Sequence, residues 1–218
     1  LEVEDELRER RKKLRSFIFA VQVVYCIAAE IKDLTLHLLQ TFAPSISQMV
    51  LEWRTSLVSL PSVAAKDGGQ KEVLQGDEII LLASQYLLFQ ASLHPPSSNE
   101  SNHSSTTMLL QSAALLEESM DHSPYNPHLK IAAISVYSKL NAAGRALTIF
   151  QDMGVKQIQL DSCSYIILPL LISGGLYTSA IKLSTSILRL HGSTSKDVKT
   201  YSTKSLQNGL MFKAKEMV

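Results

Sequence analysis

Cysteine, tryptophan and net charge are what this 218-residue chain has least of: two Cys, one Trp and a formal charge of +1. Cys26 and Cys163 stand far apart in apolar, helical surroundings. No disulfide framework is expected, a reducing compartment fits, and each thiol reads as a small buried hydrophobe. The near-neutral balance removes any long-range pull towards nucleic acid or an acidic membrane surface. Long hydrophobic runs are missing too. Residues 17–29, FIFAVQVVYCIAA, form the most apolar stretch, and Glu30, Lys32 and Asp33 follow at once, so it is too short to span a bilayer. Its mixed acidic and basic lead-in does not suit a secretory leader, which leaves a core helix.

Chemical motifs are equally scarce. There is no glycine-rich phosphate loop, and Ser, Cys and His never fall into a nucleophile signature. His37, His94, His103, His122, His128 and His191 do not stand at metal-ligand spacing with Cys or carboxylates. No catalytic, cofactor-binding or metal-ligating residue is assigned, and the chain is expected not to be an enzyme. Asp161 reads as a helix cap and Trp53 as a core anchor.

What is present is helix. No segment alternates convincingly at period two, and the long segments fit a helical period, so the fold class is all-α. Residues 2–40 read as one helix with an apolar stripe through Leu14, Phe17, Val21, Val24, Ala28, Ile31 and Leu38. Its first turns carry Glu4–Arg8, Glu6–Arg10 and Glu9–Lys13 in the favourable acid-first order. The run RERRKKLR is read as a solvated face and not as an RNA patch, because acids interleave and aromatics are absent. Pro44 ends this region, and Ser45 caps a helix lined by Ile46, Met49, Trp53, Leu57 and Leu60. Residues 61–76 are expected to be a loop, 77–92 a helix apolar nearly all round, 94–107 a mobile low-complexity loop, and 108–120 a further helix.

Three pieces then repeat: Asn141-AAGRALTI, Gly175-LYTSAIKL and Gly209-LMFKAKEM start 34 residues apart. Ala146, Ala180 and Ala214 coincide, as do Ile149, Leu183 and Met217. Helix–turn–helix content at that period is the tetratricopeptide signature, here degenerate. The small residue lets the paired helices approach closely. Tyr137 and Phe150 take large-residue places. The expected hairpins pair 128–139 with 142–153, capped by Gly154, and 162–173 with 176–190 across a Gly174-Gly175 turn. A third pair joins 196–207 to a helix starting at Leu210. Asp161 caps the second pair, and Pro169 within it is expected to kink it. The domain reading is a helical segment over 1–121, with loops at 61–76 and 94–107, followed by tetratricopeptide-like repeats over 122–218. The last repeat lacks a polar cap and is truncated, which is the pattern of a fragment of a longer solenoid.

Residues 123–209 carry a resemblance. Tyr125-Asn126 precedes a helix, Leu129 through Tyr137 leads to Leu140, and a core follows over 146–150. Next come Lys156-Gln157-Ile158-Gln159 leading to Asp161, with Tyr165 four residues on, and then Lys196-Asp197, Tyr201 and Asn208-Gly209. This resembles the auxiliary, non-catalytic subunit of the NatB N-terminal acetyltransferase, in which a K-x-I-Q-x-D joint links two helical hairpins. The chain departs from the family's compact Leu-Gly turn at Leu140-Asn141-Ala142-Ala143-Gly144. The resemblance implies a cytoplasmic scaffold that forms a heterodimer with a small catalytic subunit at the ribosome. The partner would bind acetyl-CoA and acetylate nascent Met-Asp, Met-Glu, Met-Asn and Met-Gln N-termini. No acetyl-CoA loop of the Q/R-x-x-G-x-G/A type occurs in this chain, so no cofactor is expected on it. Neither a membrane nor direct nucleic-acid specificity is implied. Two other readings are a pentatricopeptide-like RNA binder, disfavoured by the 34-residue period and the neutral charge, and a generic tetratricopeptide adaptor for peptides.

Overall fold

A computed structural model of the chain describes residues 2–30, 41, 43–59, 74, 76–93, 99–156 and 158–216. Among them are nine helices and no strand, so the all-α expectation holds. They are α1 (Glu2–Glu30), α2 (Ile46–Ser59), α3 (Asp77–Leu93), α4 (Asn99–His122), α5 (Pro127–Lys139), α6 (Ala143–Asp152), α7 (Ile158–Ser173), α8 (Tyr177–Gln207) and α9 (Met211–Glu216). The chain divides into two compact units, Leu1–Leu140 and Asn141–Val218.

In the first unit α3 is the centre, packing against α1, α2, α4 and α5. Its sequence is apolar on nearly every side because it has neighbours on several sides. Ile79, Ile80, Ala83 and Leu87 are all buried. Where α3 crosses α4, Ser84 and Ser112 share a buried hydrogen bond of 2.7 Å. Two small hydroxyls satisfy each other there while letting the helices approach. The Tyr25 hydroxyl of α1 donates to the Leu82 carbonyl at 3.0 Å, and its ring meets Tyr86 edge-on.

Helix α2 begins with a reciprocal cap. The Gln48 N–H donates to Ser45 Oγ at 3.2 Å, and the Ser45 N–H donates to Gln48 Oε1 at 2.9 Å. Ser45 takes the expected cap position, and Gln48 is its return partner. Met49 and Trp53 are fully buried, as their stripe requires. Leu60, Ile31 and Leu38, also assigned to stripes, lie outside the described residues.

Two expectations are corrected in this unit, and a third, on Cys163, in the other. The loop assigned to 94–107 is helical from Asn99 onward, while 94–98 lie outside the described residues. The stripe Leu109, Ala113, Leu116 and Met120 is buried, and one turn upstream of it Ser105 Oγ donates to the Ala91 carbonyl of α3 at 3.1 Å. Docking against α3 thus overrides the weak helix propensity of the Ser/Thr run. Cys26 is exposed, not a buried hydrophobe, and Cys163 is half-buried. Cys26 sits at the edge of the contact between α1 and α3, lining an open groove with Gln22, Tyr25, Glu78 and Leu82, and so stays exposed. Most of the 61–76 loop lies outside the described residues.

In the second unit α6 packs on α7, α7 on α8, and α8 on α9. Ala146 and Ala180, the repeated small residues, are both buried, with Ile149, Phe150, Ile167 and Leu171 beside them in the core. Gly174 meets Ala143 so closely that an added Cβ would collide with the alanine methyl.

Two further corrections fall in this unit. The second hairpin's return helix does not stop near Leu190. It runs unbroken to Gln207 as the 31-residue α8, so 196–207 is not a separate first helix of a third pair. Gly192, which lies between the two expected helices, has no positive φ and open space around it, and nothing forces the chain to turn there. Asp161 is not an N-cap either. Helix α7 starts three residues earlier at Ile158 and places Asp161 in its first turn. Pro169 lies inside α7 without ending it.

Candidate interaction surface

The repeat is built from left-handed turns. Asn141 has φ 55°, Gly175 φ 75° and Gly209 φ 73°, so three positive-φ residues stand at the same 34-residue spacing as the sequence repeat. Each precedes a helix start, at α6, α8 and α9. After Gly175 the Leu176 N–H donates to the Leu171 carbonyl at 2.8 Å. After Gly209 the Leu210 N–H donates to the Ser205 carbonyl at the same 2.8 Å. These are the long bonds of a helix terminus closed by a left-handed residue. The first turn uses asparagine where the others use glycine, because Asn is the non-glycine residue that most readily enters that region. The departure at Leu140-Asn141 therefore preserves the backbone path. Gly154, with φ 62°, closes α6 as expected.

At the joint Asp161 has a lateral role. Its Oδ1 lies 2.9 Å from Nε2 of His191, thirty residues away on α8. That contact pins the first turn of α7 to the middle of α8. Nothing in the spacing of two exposed polar residues could have foretold it.

Beside the joint lies a groove of about 390 Å³. Its floor is Leu147, Phe150, Val155, Leu160 and Leu183, and Lys156 and Lys182 stand at its rim. On another side of α8, Tyr177, Ile181 and Leu188 are exposed at i, i+4 and i+11 and share one face. Met211 and Phe212 of α9 are exposed as well. An unburied apolar stripe on a helical repeat is the physical feature that solenoids use to hold other protein surfaces.

The first unit contributes a buried polar cluster. Asp77, at the start of α3, is fully buried, and its Oδ2 accepts from Asn126 Nδ2 at 2.9 Å. Trp53 Nε1, Ser123 Oγ and Asp77 Oδ1 are buried around it without a hydrogen bond of good geometry. Burial pushes the Asp77 carboxyl above the usual carboxylate range, against the opposing pull of Asn126, Ser123, the Leu74 backbone and Trp53. The His122 ring meets Trp53 edge-on at 5.7 Å. The cluster ties α2, α3 and the start of α5 together. Among the described residues no group of three or more His, Cys, Asp or Glu side chains could hold a metal, and no helix is long and apolar enough to cross a membrane.

Comparison with known proteins decides the family. The family described as N-acetyltransferase B complex (NatB) non catalytic subunit matches residues 2–218. The chain belongs to the NatB non-catalytic subunit family. Its similarity therefore extends well upstream of residues 123–209, where the resemblance was legible in the sequence. Curated relatives agree: the N-alpha-acetyltransferase 25, NatB auxiliary subunit proteins of Rattus norvegicus, Mus musculus and Homo sapiens are each 29% identical over 104 residues. That alignment covers 48% of this chain and 11% of each relative. Membership of the NatB non-catalytic family fits a helical-hairpin architecture whose exposed features are apolar stripes and grooves.

Proposed function

We propose that this chain forms part of the scaffold of a NatB complex, holding the catalytic acetyltransferase subunit in a heterodimer. In this reading the partner binds acetyl-CoA and acetylates nascent Met-Asp, Met-Glu, Met-Asn and Met-Gln N-termini in the cytoplasm, at the ribosome. The observation that carries the reading is the family match along residues 2–218. The helical hairpins and the exposed Tyr177–Ile181–Leu188 stripe support it, since they offer surface for a protein. The formal charge of +1 weighs against the RNA-binding alternative, because a phosphate-tracking groove needs a basic surplus.

Affinity purification of the natural protein from its own cells, followed by mass spectrometry, tests this. A stoichiometric small acetyltransferase is expected, and loss of the protein should remove acetyl groups from Met-Asp, Met-Glu, Met-Asn and Met-Gln N-termini. Recovery of a specific RNA with no acetyltransferase would overturn the reading.

A further inference from the structure

We propose that the groove beside the α6–α7 joint is a docking site for an acidic amphipathic segment of another polypeptide, with apolar side chains on its floor and carboxylates at Lys156 and Lys182. Two features of the groove together specify that chemistry. The first is the floor. Phe150 is buried, but Leu147, Val155, Leu160 and Leu183 are only half-buried, leaving a continuous apolar surface open to solvent. Such a surface gains from covering by apolar side chains and gains nothing from a bare anion. The second is the rim. Lys156 and Lys182 are both exposed, and among the described residues no carboxylate pairs with either. Among the described residues no Asp or Glu lines the groove, and its other polar lining is neutral, from Gln151, Ser179 and Ser186.

The chain's overall balance is close to neutral, so this local surplus of two cations over an apolar floor is a feature of the groove and not of the protein. The groove between α1 and α2 in the first unit makes the contrast. Glu52 stands there with Arg10 and Lys13, and Arg10 is already paired with Glu6 at 2.8 Å, so that groove offers no single sign of charge. The joint groove selects instead. A basic segment would face two like charges, and a purely acidic one would leave the floor wet. Beside the groove the Asp161–His191 contact links α7 to α8.

The test is fluorescence anisotropy with the full chain and three labelled peptides: a leucine/glutamate amphipathic peptide, its leucine/lysine counterpart, and an all-glutamate peptide without leucine. The leucine/glutamate peptide is expected to bind saturably and to weaken as salt rises. The Lys156→Glu, Lys182→Glu double variant changes only exposed positions and is expected to bind it ~10-fold or more weakly while gaining the leucine/lysine peptide. Leu183→Ser is expected to weaken the leucine/glutamate peptide without altering the all-glutamate one. The proposal is overturned by any of three results: equal binding of the leucine/glutamate peptide by the double variant, equal binding of the all-glutamate peptide, or no saturable binding. Self-association of the chain that the double variant abolishes would assign the groove to a second copy and overturn it too. These titrations involve the chain alone, so their failure leaves the scaffold reading standing, and failure of that reading leaves the titrations informative.

Discussion

Asn126 joins two helix starts, reaching Asp77 forty-nine residues away. Its side-chain oxygen accepts from the His128 N–H at 3.0 Å and caps α5, while its Nδ2 donates to the buried Asp77 carboxylate at the head of α3. One amide thus serves a local and a long-range role at once. Pro127 at the first helical position, whose missing N–H would have had no partner, completes the cap.

Removing that amide should be costly. Asn126→Ala loses a cap worth about 1 kcal/mol and leaves a buried carboxylate oxygen without its donor, so roughly 2–4 kcal/mol of stability should disappear. Asn126→Asp keeps the capping oxygen but sets a second carboxylate against Asp77. Chemical denaturation of both variants checks this: a loss under about 0.5 kcal/mol for Asn126→Ala would contradict it.

The pH dependence of Asp77 has a definite sign. Burial raises its carboxyl above the ordinary range in the folded state, so the folded protein holds that proton more tightly than the unfolded chain does. Its contribution to stability is therefore most favourable below the ordinary carboxylate range. It declines as pH rises through the window up to the raised value and is constant beyond it. Asp77→Asn removes the decline, so the melting temperature of the variant relative to the natural protein should improve from pH 4 to pH 8. A difference that stays flat over that range would show that Asp77 is not held proton-rich.

Two glycines of the second unit should respond in opposite directions to alanine. Gly175 has φ 75°, and Gly175→Ala should cost about 1–2 kcal/mol. Gly192 lies inside the continuous α8 with free space around it, and Gly192→Ala should stabilise by about 0.5–1 kcal/mol. Paired thermal melts decide it. Destabilisation at Gly192 would mean that the helix is interrupted between 190 and 196, where the repeat pattern placed a break.

At Gly174 the constraint is contact. A Cβ there would collide with Ala143 Cβ and sit 3.0 Å from the Leu170 carbonyl. Gly174→Ala should cost about 1–3 kcal/mol by overpacking. Ala143→Gly in the same molecule should restore part of the loss, which a double-mutant cycle would reveal.

Legibility followed the range of the interactions concerned. Ser45, Gly154, Gly175 and the α5 start were readable because capping and positive φ act over a few residues, and Trp53 and Met49 because burial imposes a helical period. Cys26 was misplaced because an apolar run does not say which of its residues face out. The 99–107 helix was missed because Ser105 is held by Ala91, a contact in space and not in sequence. The His191 partner of Asp161 was hidden for the same reason.

The sequence by itself determined the helical class, the repeat of 34 residues and the family, since periodicity, turn residues and the run from Tyr125 to Asp161 are written along the chain. Tertiary structure alone decided that α8 passes through Gly192 without turning, that Asp77 is buried against Asn126, and that two lysines flank an apolar groove. Each of these depends on which surfaces are brought together. A glycine turns only where packing or a left-handed closure requires it, a carboxylate is buried only if a distant donor meets it, and a groove exists only between elements already in place.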